Sequence, residues 1–124
     1  MADDLNEKGF RIRAQLFGEA AARQRIADFE RFDEGFGRLV NEQVFGGIWT
    51  RPGLPIKTRS MITMAALMVL ARGPELRTHM RGALNLGITP QEIKELIIHL
   101  SQYGGVPVAV EAIRAFQEVT AEKK

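Results

Sequence analysis

The run MITMAALMVL, Met61–Leu70, is apolar at every position except Thr63. Wound at 3.6 residues per turn, it leaves no polar face to give to water. At ten residues it is half the length of about 20 that a membrane span needs. The run therefore belongs at the centre of a helical domain or in a subunit interface. Its neighbours must be read as helices packed around it.

Helical periodicity dominates the rest of the chain, and no window alternates cleanly enough for a strand. The first helix is expected over about Asp4 to Phe17, with Phe10, Leu16 and Phe17 on its apolar side and Gly18 as the stop. A second, about Ala27 to Phe45, places Phe29, Phe32 or Phe36, Leu39, Val40 and Val44 at spacings of three and four, and Gly46–Gly47 end it. IWTRPGLP, Ile48–Pro55, carries two prolines and a glycine, so it reads as a loop pinned by Trp49. The third helix runs from about Ile56 to Ala71, and the fourth from Pro74 to about Leu86.

TPQE opens the fifth helix with a capping box, Thr89 as N-cap and Glu92 three residues on. Its core face is Ile93, Leu96, Ile97 and Leu100, and YGGVP closes it. A sixth spans about Val108 to Thr120. With 124 residues, 45% of them hydrophobic, the expectation is one all-α domain of about six helices.

Composition narrows the chemistry. No cysteine is present, so disulfides, thiolate metal sites and thiol nucleophiles are excluded. The net charge of +2, with a pI near 9.3, is too slight and too scattered for a nucleic-acid binder. The opening MADDLNEKGF lacks the layout of a secretory signal, and a cytoplasmic protein off the membrane is expected. Arg51, Arg59, Arg72, Arg77 and Arg81 crowd the middle of the chain. Should several converge, they would favour a small anionic ligand.

The two histidines share a pattern. Glu75 stands one turn before His79, and Glu95 one turn before His99, with Tyr103 one turn after it. Such a carboxylate is close enough to orient or charge an imidazole. His79 falls about 60° to one side of Leu76, beside small Gly82 and Ala83 that leave room next to the ring. The spacing fits a half-buried structural histidine with a surface pair as well as an active one. Neither helix carries an H-x-x-x-H or E-x-x-H pair, so no metal site is expected. The glycines follow no phosphate-loop or dinucleotide pattern, and Ser60 and Ser101 lack any nucleophile elbow. Ile98 lies on the polar side of its helix, which points to a subunit contact.

Taken together, IWTRPGL, TRSMITMAALMVLARGPELRTHMRGALNLGITPQEIKELIIH and YGGVP resemble the carboxymuconolactone decarboxylase family. The likeness covers the chain loosely at first and closely from about Phe32 to Ala115. Alkylhydroperoxidase-like members of that family carry a C-x-x-C pair that would fall at Arg72 and Glu75, and a glutamate that would fall at Ser60. Without thiols their peroxidase mechanism is impossible here. Leu86 departs from the decarboxylase pattern, where a second asparagine follows Asn85.

The resemblance implies cofactor-independent decarboxylation of 4-carboxymuconolactone to the β-ketoadipate enol-lactone in protocatechuate catabolism. It also implies a homo-oligomer, usually a trimer of dimers. On that reading His79 gives the proton or meets the oxyanion, Glu75 orients it, and His99 is a second catalytic candidate. Arg51, Arg59 and Arg81 are candidate carboxylate anchors, and Trp49 and Tyr103 line the pocket. Another lactone or keto acid as substrate, or a non-catalytic binder of small acids, are the competing expectations.

Overall fold

A computed structural model of the chain describes residues 2–122. All regular structure among them is helical: seven α-helices and one π-helical segment, where about six helices were expected. Contacts divide the chain into two compact units, Met1–Ile56 and Lys57–Lys124.

In the first unit, α1 (Ala2–Phe17) ends at Gly18, whose φ of 89° is open to glycine. α2 (Glu19–Phe32) then begins eight residues earlier than the sequence suggests and stops where a continuous helix was expected. The cause is Asp33. Its backbone is extended, and its carboxylate accepts the Phe36 amide at 2.8 Å, so it caps a new helix instead of continuing the old one. Phe32, expected on the apolar face, is consequently 80% exposed.

The new rod starts as α3 (Glu34–Leu39) and widens into a π-segment, Val40–Ile48. The Trp49 amide, bonded to the Val44 carbonyl at 3.0 Å, shows the five-residue step. α1 lies against this segment backbone to backbone. Gly9 faces the Asn41 carbonyl and Gly46 faces the Leu5 carbonyl, too close for any side chain at either glycine. Asn41 also donates to the Asn6 carbonyl at 2.9 Å, fixing the register of the crossing. The loop after the segment begins with a buried Trp49, stacked on Phe45 at 6.1 Å.

α4 (Ile56–Val69), α5 (Gly73–Asn85), α6 (Pro90–Gly104) and α7 (Val106–Ala121) follow. The second unit's core joins all four: Met64 and Met68 of α4, Leu76 and Met80 of α5, Ile93 and Ile97 of α6, and Ala112 and Ala115 of α7. The capping box of α6 is formed in full. Thr89 Oγ1 accepts the Glu92 amide at 3.0 Å, and Glu92 accepts the Thr89 amide at 2.9 Å. α7 starts two residues sooner than expected because Pro107 fits its first turn, after Gly105 at φ 98°.

The apolar-all-round helix keeps its promise only on one side. Met64 and Met68 are buried, but Ile62, Val69 and Leu70 remain exposed, as does Ile98 at 60%. No helix among the described residues is long and apolar enough to cross a membrane.

Candidate active site

α5 carries the first histidine. Leu76, Met80, Gly82 and Ala83 form its buried side, and His79 lies half-buried at the edge of that side. Small Gly82 and Ala83 are both buried. Glu75, in the first turn of the same helix, is exposed.

Two of the central arginines are tied to α7. Arg77 grips Glu118 through Nε at 2.5 Å and Nη2 at 3.0 Å. Arg81 grips Glu122 through Nε at 2.9 Å and Nη2 at 2.7 Å. These hydrogen bonds hold the Glu118 and Glu122 carboxyls below the usual carboxylate range and raise both guanidiniums above theirs. Planar two-pronged pairing of this kind suits Arg better than Lys. An anion approaching Arg81 finds its Nε and Nη2 already engaged by Glu122. Arg59 is half-buried on α4, and Arg51 is exposed in the loop after Trp49.

α6 brings together a second set. His99 stacks on Tyr103 with ring centres 5.2 Å apart, the helical spacing of four doing what the sequence allows. Beside the histidine runs a groove of about 490 Å³ between α4 and α6. Met61, Ile62, Leu96 and Leu100 give it apolar lining, and Glu95 and His99 line it as well. His79 is not among the residues that line it. Tyr103 is 76% exposed and packs on His99 rather than into the groove. Among the described residues, no group of three or more histidines and carboxylates is placed to hold a metal ion.

Sequence reasoning missed the buried charge of Arg13. Arg13 of α1 is 1% exposed, and burial, with help from the charge of Arg25, pushes its pKa down to about 10. The signal was present: Arg13 falls four residues after Gly9 and three and four before Leu16 and Phe17, in the apolar stripe itself.

The model of the carboxymuconolactone decarboxylase family matches residues 34–118. The chain belongs to the carboxymuconolactone decarboxylase family. The match runs from the first residue of α3 to Glu118 of α7, and so takes in both histidines, the Trp49–Pro55 loop and all the central arginines. Among curated proteins, the chain is 37% identical over 113 residues to 4-carboxymuconolactone decarboxylase of Acinetobacter baylyi, covering 91% of this chain and 84% of that one. It is 32% identical over 114 residues to nitrosuccinic acid decarboxylase of Metarhizium robertsii, covering 92% and 80%. An uncharacterized 15.0 kDa protein of Paracoccus denitrificans is 41% identical over 85 residues, 66% of this chain and 63% of that one.

Proposed function

We propose that the protein is a carboxy-lyase that works without cofactor, removing CO2 from 4-carboxymuconolactone in the breakdown of protocatechuate. The observation that carries this reading is the likeness, over about nine-tenths of the chain, to a decarboxylase of that lactone and to a decarboxylase of a different acid. The two substrates named there share a feature. Each joins a departing carboxylate to a group that can take its electrons, a conjugated lactone carbonyl in one and a nitro group in the other. Such a substrate is its own electron sink, and neither pyridoxal nor thiamine is required for the step.

The protein then has three tasks. It must hold a dianion, stabilise charge arriving on the acceptor oxygens, and return a proton to carbon. His79 is assigned the third task, and an imidazole near neutral pKa contributes on the order of 10²–10⁴ in rate. Glu75, one turn away, is assigned its orientation, and His99 is the second imidazole in reserve. Arg51 and Arg59 are the anchors of choice, since Glu122 already occupies the fork of Arg81. A well-aimed donor on the developing oxyanion adds roughly 3–4 kcal/mol. The departing carboxylate is expected against apolar side chains, because cations there would hold the ground state as firmly as the transition state. Trp49 and Tyr103 are assigned to the walls of the site.

A second reading, a related acid as the physiological substrate, is favoured by the nitrosuccinic acid decarboxylase and by Leu86. CO2 release from 4-carboxymuconolactone and from nitrosuccinic acid, measured side by side on the purified protein, tests both. Turnover of the lactone at the higher kcat/KM supports the first reading. Preference for the nitro acid supports the second, and turnover of neither sinks the enzymatic assignment. We further propose a homo-oligomer, supported by the exposed apolar side chains of Ile62, Val69, Leu70 and Ile98.

A further inference from the structure

Arg13 is a charge the fold does not account for. Its Nε and Nη1 are buried and make no hydrogen bond among the described residues. The charge that most affects it is that of another cation, Arg25. With a pKa of about 10 it still carries its proton at neutral pH. Replacing even a paired buried charge with apolar side chains of similar volume is often neutral or stabilising. Packing alone therefore gives no reason for an arginine here.

What the guanidinium does touch is aromatic. Its carbon lies 4.5 Å from the centre of the Phe45 ring and 5.7 Å from that of Phe29, within reach of the cation–π attraction. Phe45 is clamped from another side by Phe17, edge-on at 6.3 Å. Phe45 in turn stacks on Trp49, their planes 18° apart. The chain beyond Trp49 is tied to the end of the π-segment. Thr50 Oγ1 donates to the Gly46 carbonyl at 2.5 Å, and the Arg51 amide donates to the Ile48 carbonyl at 3.1 Å. A cation, two stacked rings and a short hydrogen-bonded turn thus connect position 13 to position 51, all within the first compact unit.

We propose that Arg13 is a positioning residue: through Phe45 and Trp49 it sets the attitude of the loop that presents Arg51 to the substrate carboxylate. This rests on the reading above in which Arg51 binds that carboxylate. A fixed charge suits the task because the attraction depends on the guanidinium staying over the Phe45 ring face. Desolvation strengthens it by removing the competing water.

The variants Arg13→Met and Arg13→Lys test it. Trp49 is the chain's one tryptophan, so its fluorescence reports the ladder whether or not the substrate has been identified correctly. Arg13→Met is expected to keep its helical circular dichroism and an equal or higher denaturation midpoint. Its Trp49 emission and quencher accessibility should change, and KM for the lactone should rise about tenfold with kcat within about twofold, the pattern of lost uniform binding. Arg13→Lys, which keeps a cation over the ring, should restore KM to within about threefold of wild type. Unchanged Trp49 emission, or a fall in kcat and KM alike tracking lost stability, overturns the proposal. If Arg13→Met does not fold, Phe45→Leu breaks the same ladder and is judged by the same readouts. If wild type turns over neither acid, the functional reading fails. Trp49 emission then decides the ladder by itself: a shift in Arg13→Met retains it, and no shift ends it.

Discussion

Replacing Gly46 by alanine should cost stability even though alanine is the better helix former. A Cβ at this position would stand 3.0 Å from the Leu5 carbonyl carbon and nearer still to its oxygen, where ordinary contact begins at 3.4 Å. The obstacle is backbone of α1, which cannot rotate aside as a side chain can. The crossing must therefore open by at least about 0.4 Å for the carbon, and further for the oxygen. A radial gap of about 0.5–1 Å already forfeits a quarter to a half of each dispersion contact along the seam. Gly→Ala gains about 1 kcal/mol from helix propensity, while forced overpacking costs about 1–3 kcal/mol or more. The clash is with backbone, so the cost belongs at the upper end, and a net loss of about 1–2 kcal/mol is expected. Because Trp49 lies three residues beyond, its emission should shift as well. Guanidinium unfolding followed by circular dichroism measures the first effect and fluorescence the second. A variant as stable as wild type, or more so, would refute the close crossing of α1 with the π-segment.

Three further outcomes are expected. Thr89→Ala removes the hydroxyl that accepts the Glu92 amide and should cost about 1 kcal/mol in chemical denaturation; no loss would mean the capping box contributes nothing. Glu118 and Glu122 have folded pKa values below their unfolded ones, each chiefly through hydrogen bonds from its arginine. Their contribution is therefore present above the ordinary carboxylate range and is lost as pH falls through the lowered values. An Arg77→Met, Arg81→Met double variant should flatten that acid limb, and salt should weaken wild type toward it; an unchanged limb counts against the pairs. Ile98→Glu should reduce the particle mass seen by light scattering, and an unaltered mass would remove Ile98 from any subunit contact.

What the sequence disclosed and what it hid have separate physical causes. The second unit was largely legible because its signals are local: the Thr89–Glu92 box, the glycine stops and the spacing of Ile93, Leu96 and Ile97 lie within a turn or two of one another. The first unit was not, because a single capping aspartate, Asp33, outweighed a continuous apolar periodicity from Phe29 to Val44. The π-segment has no pattern of its own in the chain; its wider turn accompanies the contact of Gly9 and Gly46 with carbonyls 32 and 41 positions away. The site was legible in its residue types rather than their partners. His79 is half-buried as its offset from Leu76 suggests, and His99 meets Tyr103 at the spacing of one turn. That Glu122 would take the fork of Arg81, and that Arg13 would be buried among rings, depends on neighbours brought in from other helices.

The account stands or falls on the imidazole of His79 acting on carbon without a cofactor. Its most direct test is the kcat of His79→Ala on 4-carboxymuconolactone, with circular dichroism and particle mass matched to wild type. A loss of about 10²–10⁴ with KM little changed is expected. A correctly folded variant that turns over at the wild-type rate would contradict it.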